Sequence, residues 1–232
     1  GAPLEAPTPG ATYFGLLGDT PYSEDQAARL DGLIDEMNAQ PLAFVVHVGD
    51  LGTSAQACRD DWLAARQAQL GRIRHPFVLL PGDNEWSDCH QRGLDPLGRL
   101  AKWRSLFCGR ETIGGLERQA GEYCEHVRWR AGGALFVALN VPGNNNNVRQ
   151  PAEHAARMRA AMQWLDEALA LPHGRVVLLM QANPFVGRRG YADLVAKLAA
   201  LGRDMPGRVV LVHGDTHLYK DDEPLPGLRR IE

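Results

Sequence analysis

The sequence lacks long hydrophobic runs: no apolar stretch among its 232 residues reaches ten residues. A transmembrane helix needs about 20 consecutive apolar residues, so no membrane-spanning segment is predicted. Basic clusters are also missing, since 25 Lys and Arg face 28 Asp and Glu, for a net charge of −3. A mildly acidic chain without a basic stripe favours neither nucleic acid nor an anionic membrane surface as a partner.

Cysteine is scarce, and its spacing matches no zinc motif. The four cysteines, Cys58, Cys89, Cys108 and Cys124, include no CxxC pair and allow three disulfide pairings. We predict Cys58–Cys89 and Cys108–Cys124, because the first pair follows two strands that end in acidic residues and would pin their loops together. Four reduced thiols in the cytosol are the alternative.

The first residues contain no hydrophobic signal core. Residues 1–12, GAPLEAPTPGAT, form a Pro- and Ala-rich lead that resembles the start of a mature secreted chain. A trimmed chain would look the same. Together with the predicted disulfides, which require an oxidising compartment, this lead predicts a periplasmic or secreted protein.

Four apolar segments each end in Gly followed by Asp, at Asp19, Asp50, Asp83 and Asp215. Short apolar runs without polar alternation are typical of strands buried on both faces. Glycine permits a sharp exit from the sheet, and the carboxylate then projects at the strand tip. In an α/β domain, four such tips converge in the crevice outside the strand ends, where ligands usually bind.

Converging carboxylates repel one another. Two unit charges 4 Å apart interact by roughly 4 kcal/mol at an effective dielectric constant near 20. Four acids in one cleft therefore need cations, or some of them must bind protons. Gly-Asp after a strand is also ordinary turn chemistry, but four copies favour a metal site.

Strand and helix patterns alternate along the chain and predict a single α/β domain over residues 13–232. An S-x-x-Q capping box at Ser23 opens the first helix. Further helices are predicted over residues 55–74, over residues 96–107, from Pro151 onward, and before a C-terminal stop at Gly202. Residues 131–133 predict a β-hairpin turn, so an antiparallel pair follows three βα units.

In their order and spacing, these blocks resemble those of the calcineurin-like metallophosphoesterase superfamily, which includes purple acid phosphatases. The resemblance spans residues 13–218. It implies an α/β fold, a four-layer sandwich of two mixed β-sheets flanked by α-helices, and two metal ions that share a bridging aspartate. The D-x-H, G-D, G-N-H-D/E and G-H-x-H blocks of the family correspond here to residues 19–21, 49–50, 82–85 and 214–217.

Carried over by position, the resemblance implies a metal centre poor in histidine. Its ligands would be Asp19, Asp50, Asp83, Gln181, Asn183, Asp215 and His217. Asp50 would bridge both ions, and Asp19 and His217 would hold the first, where Pro21 replaces the usual histidine. Either Gln181 or Asn183 stands where another histidine is usual.

Oxygen ligands favour hard cations, so we expect two divalent ions, Mn²⁺ or Mg²⁺ rather than Zn²⁺ or Fe, with Ca²⁺ a further candidate. Four aspartates neutralise two such ions. A less positive pair lowers the pKa of bound water less, so we expect a weak hydrolase with a more alkaline optimum than its relatives.

The family histidine that protonates or steadies the leaving group is replaced by Asn84. An amide donates a hydrogen bond but no proton, so Glu85, His90 or no residue would act as the acid. General acid catalysis contributes roughly 10²–10⁴-fold, and its loss favours substrates with acidic leaving groups.

Two segments are candidates for substrate binding. Arg188 and Arg189 would recognise an anion, and Asn144 and Asn145 in the GNNNN segment would direct amide donors at an oxyanion. Ordinary solvated loops are the alternative for both. Strand parity places His213 nearer the site than His47, although a hydrogen-bonded core histidine is the alternative for each.

The predicted function is hydrolysis of a small phosphorylated substrate by a metal-bridging hydroxide at a carboxylate-rich site. The alternative is a catalytically weak or inactive relative that binds a divalent cation or an anionic ligand. The sequence does not specify an oligomeric state.

Overall fold

The computed structural model describes residues 10–187 and 189–232. Within them the chain forms an α/β structure with two β-sheets flanked by helices, which confirms the predicted fold class. Most of the predicted N-terminal lead, and Arg188, lie outside the described residues. No helix in the described part of the chain is long and apolar enough to cross a membrane.

The smaller sheet consists of three parallel strands in the order β1-β2-β3. They are β1 (Gly15–Leu17), β2 (Val45–His47) and β3 (Phe77–Leu79). In register, Leu17 pairs with His47 and His47 pairs with Leu79. Because parallel strands in register end at the same edge, the first three Gly-Asp dipeptides emerge side by side.

The larger sheet has seven strands in the order β4-β5-β6-β7-β8-β10-β9. The strands are β4 (Glu117–Arg118), β5 (Val127–Ala131), β6 (Ala134–Ala138), β7 (Arg175–Leu179), β8 (Val209–Val212), β9 (Asp221–Leu225) and β10 (Leu228–Ile231). Strands β6, β7, β8 and β10 are parallel, while β4, β5 and β9 pair antiparallel with their neighbours. The predicted hairpin is thus confirmed as β5–β6.

The helices are α1 (Glu24–Asn38), α2 (Ser54–Ala57), α3 (Asp60–Leu70), α4 (Pro96–Phe107), α5 (Gly143–Asn146), α6 (Pro151–Leu169) and α7 (Ala192–Asp204), with a 3₁₀ helix at Ser87–Arg92. The Ser23 hydroxyl caps α1 by accepting a bond from the Gln26 N–H at 3.0 Å. The single helix predicted over residues 55–74 is wrong, since it breaks at Cys58 and Arg59.

Gly202 lies inside α7, so its predicted role as a helix stop is wrong. A Cβ at this position would lie 2.3 Å from the Pro226 carbonyl oxygen. Glycine is therefore required there because the β9–β10 turn packs directly on the helix backbone.

Three apolar clusters define four layers. Between the sheets, Phe44, Trp129 and Phe136 pack with ring centroids about 5 Å apart. Helices α1, α3 and α4 cover the outer face of the smaller sheet, and α6 and α7 cover that of the larger one. Burial of these faces against helices explains why the strands are apolar without alternation.

Two disulfides are present, Cys58–Cys89 and Cys108–Cys124, and both predicted pairings are confirmed. Cys58 ends α2 and Cys89 lies in the 3₁₀ helix, so the first bridge joins the loops that follow β2 and β3. Both of its sulfur atoms lie near the Asn84 carbonyl oxygen, at 3.4 and 3.7 Å.

Candidate metal centre

Three of the four aspartates leave their strands in a left-handed backbone conformation. Asp19, Asp50 and Asp215 have φ angles of 51°, 64° and 91°, which are uncommon for residues other than glycine. The sequence attributes these exits to glycine, whereas the aspartates adopt much of the conformation themselves.

Two of the preceding glycines, Gly82 and Gly214, have a different role, because each lies against the carboxylate of another block. A Cβ at Gly82 would lie 2.0 Å from Asp50 Oδ1, and one at Gly214 would lie 2.3 Å from Asp19 Oδ2. Glycine at these positions therefore allows the strand tips to approach one another.

Asp50 lies at the centre of the site and is buried. Its Oδ1 accepts the Asn84 N–H at 3.1 Å, and its Oδ2 accepts the Gln181 amide at 3.1 Å and the Tyr22 hydroxyl at 3.2 Å. Burial, followed by repulsion from Glu85 and Asp19, raises the pKa of Asp50 well above its usual value.

Asp83 is also buried, and no described residue donates a hydrogen bond to its Oδ1. Burial and the neighbouring Asp50 raise the pKa of Asp83 well above its usual value. An unpartnered buried acceptor costs about 1–3 kcal/mol. A cation at this oxygen would satisfy the acceptor and offset the repulsion, so the donor set fits a hard divalent ion.

Asp19 and Asp215 continue the site on the other side. Asp19 Oδ2 accepts the Asp215 N–H at 2.9 Å, and Asp215 Oδ2 accepts the Asn183 N–H at 3.0 Å. Burial is the main cause that raises the pKa of Asp19. A Cβ at Gly143 would lie 2.7 Å from Asp215 Oδ1, so the GNNNN segment packs on this carboxylate.

Sequence reasoning missed Tyr22 as a member of the site. Its hydroxyl lies 3.5 Å from Asp19 Oδ1, 3.2 Å from Asp50 Oδ2 and 3.1 Å from His217 Nε2. His217 Nε2 itself lies 3.7 Å from Asp19 Oδ1. Burial and then the charge of Asp50 raise the pKa of Tyr22, so the phenol stays neutral. Its position three residues after Asp19 was the available signal.

The two amide candidates lie where the sequence places them but already bind other groups. Gln181 donates to Asp50 and accepts the Gly143 N–H at 2.5 Å through Oε1. Asn183 Oδ1 accepts the Phe185 N–H at 3.0 Å. Each amide oxygen retains a second lone pair, so a ligand role for either stays a prediction.

Glu85 connects the two loops rather than facing the cleft. Its Oε1 accepts the Leu51 N–H at 2.5 Å and its Oε2 accepts the Gly82 N–H at 3.1 Å, within the protein interior. Burial raises its pKa to about 8 despite these two donors. The contacts support a positioning role and not the predicted transfer of a proton.

Asn84 and His90 are also held by backbone groups. The Asn84 side chain donates to the Gly52 carbonyl at 2.9 Å. His90 Nδ1 lies 2.9 Å from the Ser87 carbonyl oxygen, so that nitrogen carries the proton. His90 borders a cleft of about 190 Å³ whose lining also includes Asp88, Asn144, Asn145, Arg149 and Arg189.

This cleft adjoins the carboxylates through Asp88, whose N–H donates to the Asp83 carbonyl at 2.9 Å. Asn144 donates to Asp88 Oδ1 at 2.7 Å, and Asn145 Oδ1 accepts the Arg189 N–H at 3.0 Å. Three of the four predicted substrate-binding residues therefore lie together, and the fourth, Arg188, lies outside the described residues.

The GNNNN segment, which includes the short element α5, has left-handed backbone and is an ordered turn rather than a right-handed helix or a loose loop. All four asparagines, Asn144–Asn147, have φ between 48° and 68°. The fully buried Arg157 fixes the turn: its guanidinium donates to Asn146 Oδ1 at 2.7 Å and to the Asn146 carbonyl at 3.0 Å. Sequence reasoning missed Arg157 because it lies in an ordinary helical pattern.

The two remaining histidines of interest are buried and neutral. His47 Nε2 donates to the Thr20 carbonyl at 2.9 Å, and its Nδ1 accepts the Gly49 N–H at 3.0 Å. His213 Nδ1 lies 2.7 Å from the Gly214 carbonyl. Burial lowers the pKa of each to about 4. Both are hydrogen-bonded core residues that brace the strand tips.

The four carboxylates form a row and not a single compact cage. Among the described residues, only Cys108, Cys124 and Glu125 place three potential ligand atoms of His, Cys, Asp or Glu within 4.8 Å of one another, and both cysteines form a disulfide. Along the row, Asp215 contacts Asp19, and Tyr22 links Asp19 to Asp50. The charge of Asp215 also contributes to the raised pKa of Asp83, so these two acids are neighbours as well. The arrangement suits separate ions between neighbouring carboxylates.

Comparison with solved structures shows which known proteins share this fold. A dimetal phosphatase from Danio rerio superimposes with a TM-score of 0.56 at 15% identity, over 95% of this chain and 86% of that one. A purple acid phosphatase from yellow lupin seeds gives a TM-score of 0.57 at 12% identity, over 97% of this chain and 44% of that one. The chain therefore spans less than half of the lupin protein.

The Haemophilus influenzae NAD nucleotidase is more distant, with a TM-score of 0.46 at 11% identity, over 94% of this chain and 40% of that one. No family model matches the sequence, and the comparison with curated proteins finds no match. The chain has the calcineurin-like metallophosphoesterase fold.

Proposed function

We propose that the protein is a divalent-metal-dependent phosphoester hydrolase. The observation that carries the proposal is the row of aspartates at strand ends of both sheets, with a buried Asp83 oxygen that no described donor reaches. A fold shared with phosphatases raises the expectation but does not establish the activity. The site supports a bound cation more directly, because acids gathered in the interior require compensating positive charge.

Asp50, between Asp19 and Asp83, is the residue that would contact both ions. Asp19 and His217 would hold one of them, and Asp83 and Asp215, with Gln181 or Asn183, the other. When bound, the ions would supply water activation and charge neutralisation for an in-line displacement at phosphorus. The donors are nearly all oxygen, which supports Mn²⁺ or Mg²⁺ over Zn²⁺ or Fe.

The leaving group receives little help from the protein. The Asn84 amide is bound to the Gly52 carbonyl and has no proton to give, and both Glu85 oxygens accept backbone N–H groups. His90 is the remaining candidate acid. Esters of acidic alcohols are therefore the favoured substrates, since their oxygens leave without protonation.

The cleft beside Asp88 is the proposed anion site for a small phosphorylated substrate. Asn144, Asn145 and Arg189 line it together with Arg149 and His90. Amide and guanidinium groups donate hydrogen bonds to phosphate oxygens. The turn is braced by Arg157, so its donors are fixed before substrate arrives, which lowers the entropic cost of binding.

The test is an assay of p-nitrophenyl phosphate and its bis-ester with Mn²⁺, with Mg²⁺ and with EDTA. Wild-type protein and Asp50→Asn are compared, with the exposed Asp25→Asn as the matched control. Metal-dependent turnover that falls by at least 10²-fold only in Asp50→Asn supports the proposal. Turnover that survives EDTA, or that Asp50→Asn retains, contradicts it.

A cation-binding protein without turnover is the second candidate, because Asn84 replaces the expected acid. In that case, Mn²⁺ raises the melting temperature of wild-type protein but not of Asp50→Asn, and neither ester is hydrolysed. The two candidates thus share their binding result and differ in turnover.

The two disulfides support an oxidising, extracellular compartment. We extend this to a proposal that the protein works in the periplasm or is secreted. Thiol titration of native protein recovered from its source should find no free cysteine. Four free thiols would contradict the assignment.

A further inference from the structure

We propose that the cavity beside Asp19 and His217 binds a flat, neutral aromatic group carried by the phosphoester. This inference rests on the proposed function and specifies its substrate class. The aromatic group would occupy the cavity while the phosphoryl group lies at the aspartate row.

The cavity has a volume of about 530 Å³ and lies between the ends of β1 and β10. Ligand sites commonly enclose about 300–1,000 Å³ and combine apolar walls with a few polar groups. Its walls are largely apolar, with Leu16, Val48 and Ile231 among them, and its polar end includes Asp19 and His217. A single ligand can therefore touch the metal centre and the apolar walls together.

Two large apolar side chains stand at the rim of this cavity. Leu218 and Tyr219, directly after His217, are 60% and 83% exposed. Single exposed apolar residues are common on proteins. An adjacent pair beside a metal ligand and an apolar cavity instead provides surface that an aromatic ligand would cover, and tyrosine stacks well on flat rings.

The charges around the cavity favour binding of a neutral group over binding of an anionic one. Among the described residues that line it are two carboxylates, Asp19 and Glu232, and neither Lys nor Arg. Glu232 accepts the Thr216 N–H at 2.8 Å and pairs with Lys220 at 3.1 Å, so the lysine is already engaged. The phosphoryl group would take up the charge of the ion held by Asp19 and His217. No Lys or Arg among the described lining residues is then left to compensate a second anionic group, whereas an uncharged ring needs none.

An independent feature of the site favours the same chemistry. Asn84 cannot protonate a departing oxygen, and phenols leave as anions far more readily than alkyl alcohols. Aryl esters would therefore fill the apolar cavity with their ring, and their phenol would leave without being protonated by the protein. Nucleotides offer a similar flat, neutral ring, so the experiment must separate the two sources.

The experiment compares three esters in the presence of Mn²⁺: 1-naphthyl phosphate, adenosine 5′-phosphate and glycerol 3-phosphate. Each is assayed with wild-type protein, Tyr219→Ala and the control Leu97→Ala, which removes an exposed apolar side chain from helix α4, outside the lining of the cavity. Binding of 1-naphthol, followed by its fluorescence, provides a readout that needs no turnover.

Tyr219→Ala should raise the KM for 1-naphthyl phosphate by about 2- to 10-fold, the range that one aromatic contact contributes. The KM for glycerol 3-phosphate and the behaviour of Leu97→Ala should not change. An equal increase for adenosine 5′-phosphate identifies the ring as a nucleobase as well, and an increase for the naphthyl ester alone restricts it to phenols.

Turnover with no preference for either ring, and no effect of Tyr219→Ala, overturns the inference while leaving the hydrolase proposal intact. If no ester is hydrolysed, naphthol binding shows whether the cavity binds an aromatic group. Binding weakened only by Tyr219→Ala supports the cavity although the hydrolase proposal fails, and binding that the substitution leaves unchanged overturns the cavity as well.

Discussion

The Asp83 carboxyl lies in the interior beside Asp50, with one oxygen that no described donor reaches. Without a cation, the pKa of Asp83 is raised well above its usual value by burial and by Asp50. The folded protein therefore holds this group at a free-energy cost whenever the solution would ionise it. Such a cost at a cluster of acids is typical of functional sites.

Asp83→Asn tests this directly at the residue scale. The amide has the same shape and no charge, so the metal-free variant should be more stable than wild-type protein by about 1–3 kcal/mol at pH 8. Wild-type protein should gain about 3 kcal/mol from Mn²⁺ at one hundred times its Kd, and the variant should gain far less. Melting curves with and without Mn²⁺ measure both effects.

The exposed Asp25→Asn is the control for the charge change. It loses a surface ion pair with Arg29, so its stability should change by less than about 1 kcal/mol, and its Mn²⁺ response should equal that of wild-type protein. A variant that is less stable than wild-type protein without metal, yet keeps the full Mn²⁺ response, would show that Asp83 is not a ligand.

At the element scale, the left-handed turn at residues 144–147 depends on helix α6. Left-handed backbone costs an ordinary residue roughly 1–2 kcal/mol, and asparagine tolerates it better than most. Arg157 compensates through its bonds to Asn146 and its ion pair with Glu153 at 2.9 Å. This turn places Asn144 and Asn145 at the anion cleft.

Arg157→Met should therefore destabilise the fold by about 3–5 kcal/mol, since it leaves the partners of a buried charge unpaired. It should also raise the KM for p-nitrophenyl phosphate more than it lowers kcat, because the cleft loses its fixed donors. Arg159→Met, at an exposed site on the same helix, is the matched control. Equal kinetics in the two variants would show that the turn does not contribute to substrate binding.

Element prediction succeeded where one physical signal dominated. The apolar runs before Asp19, Asp50 and Asp215 predicted strands, of which β1 is only partly buried, and the Ser23 capping box predicted the start of α1. It failed where tertiary contacts decide. The close approach of Pro226 explains Gly202, and a buried arginine fourteen residues from Gly143 organises the turn. Neither contact leaves a pattern in the neighbouring sequence from which it could be predicted.

The candidate site was predictable to a similar degree. Parallel register brings the first three aspartates to one edge. The Gly-Asp pattern itself also identified Asp215, and the resemblance added His217. The Tyr22 contacts and the backbone bonds of Glu85 could not be read from spacing, because they depend on how the loops fold over the strand tips.

At the scale of the whole molecule, buried neutral histidines contribute a loss of stability in acid, opposite in sign to the contribution of Asp83 in the metal-free protein. Burial lowers the pKa of His126 to about 4, against about 6.5 in an unfolded chain. Its Nδ1 contacts Gln119 Oε1 at 2.7 Å, and no described residue bonds its Nε2. Between pH 6.5 and 4, unfolding therefore binds a proton, and stability falls as the pH falls.

His126→Gln should remove this contribution, which amounts to about 3 kcal/mol between pH 6.5 and 4. The variant loses packing at every pH, so the slope of unfolding free energy against pH is the relevant quantity. Denaturant titrations between pH 7 and pH 4 should give a shallower slope than for wild-type protein, in which His47 and His213 add similar terms. Parallel slopes would contradict the account.

In the proposed hydrolase, divalent cations lie among acids that arrive from four separate strand ends. Anomalous diffraction from crystals soaked in Mn²⁺ tests this most directly. We expect peaks at the aspartate row, within about 2.0–2.6 Å of Asp50 and Asp83 carboxylate oxygens, as for hard cations on oxygen ligands. A map at saturating Mn²⁺ with no peak within reach of Asp50 and Asp83 would contradict it.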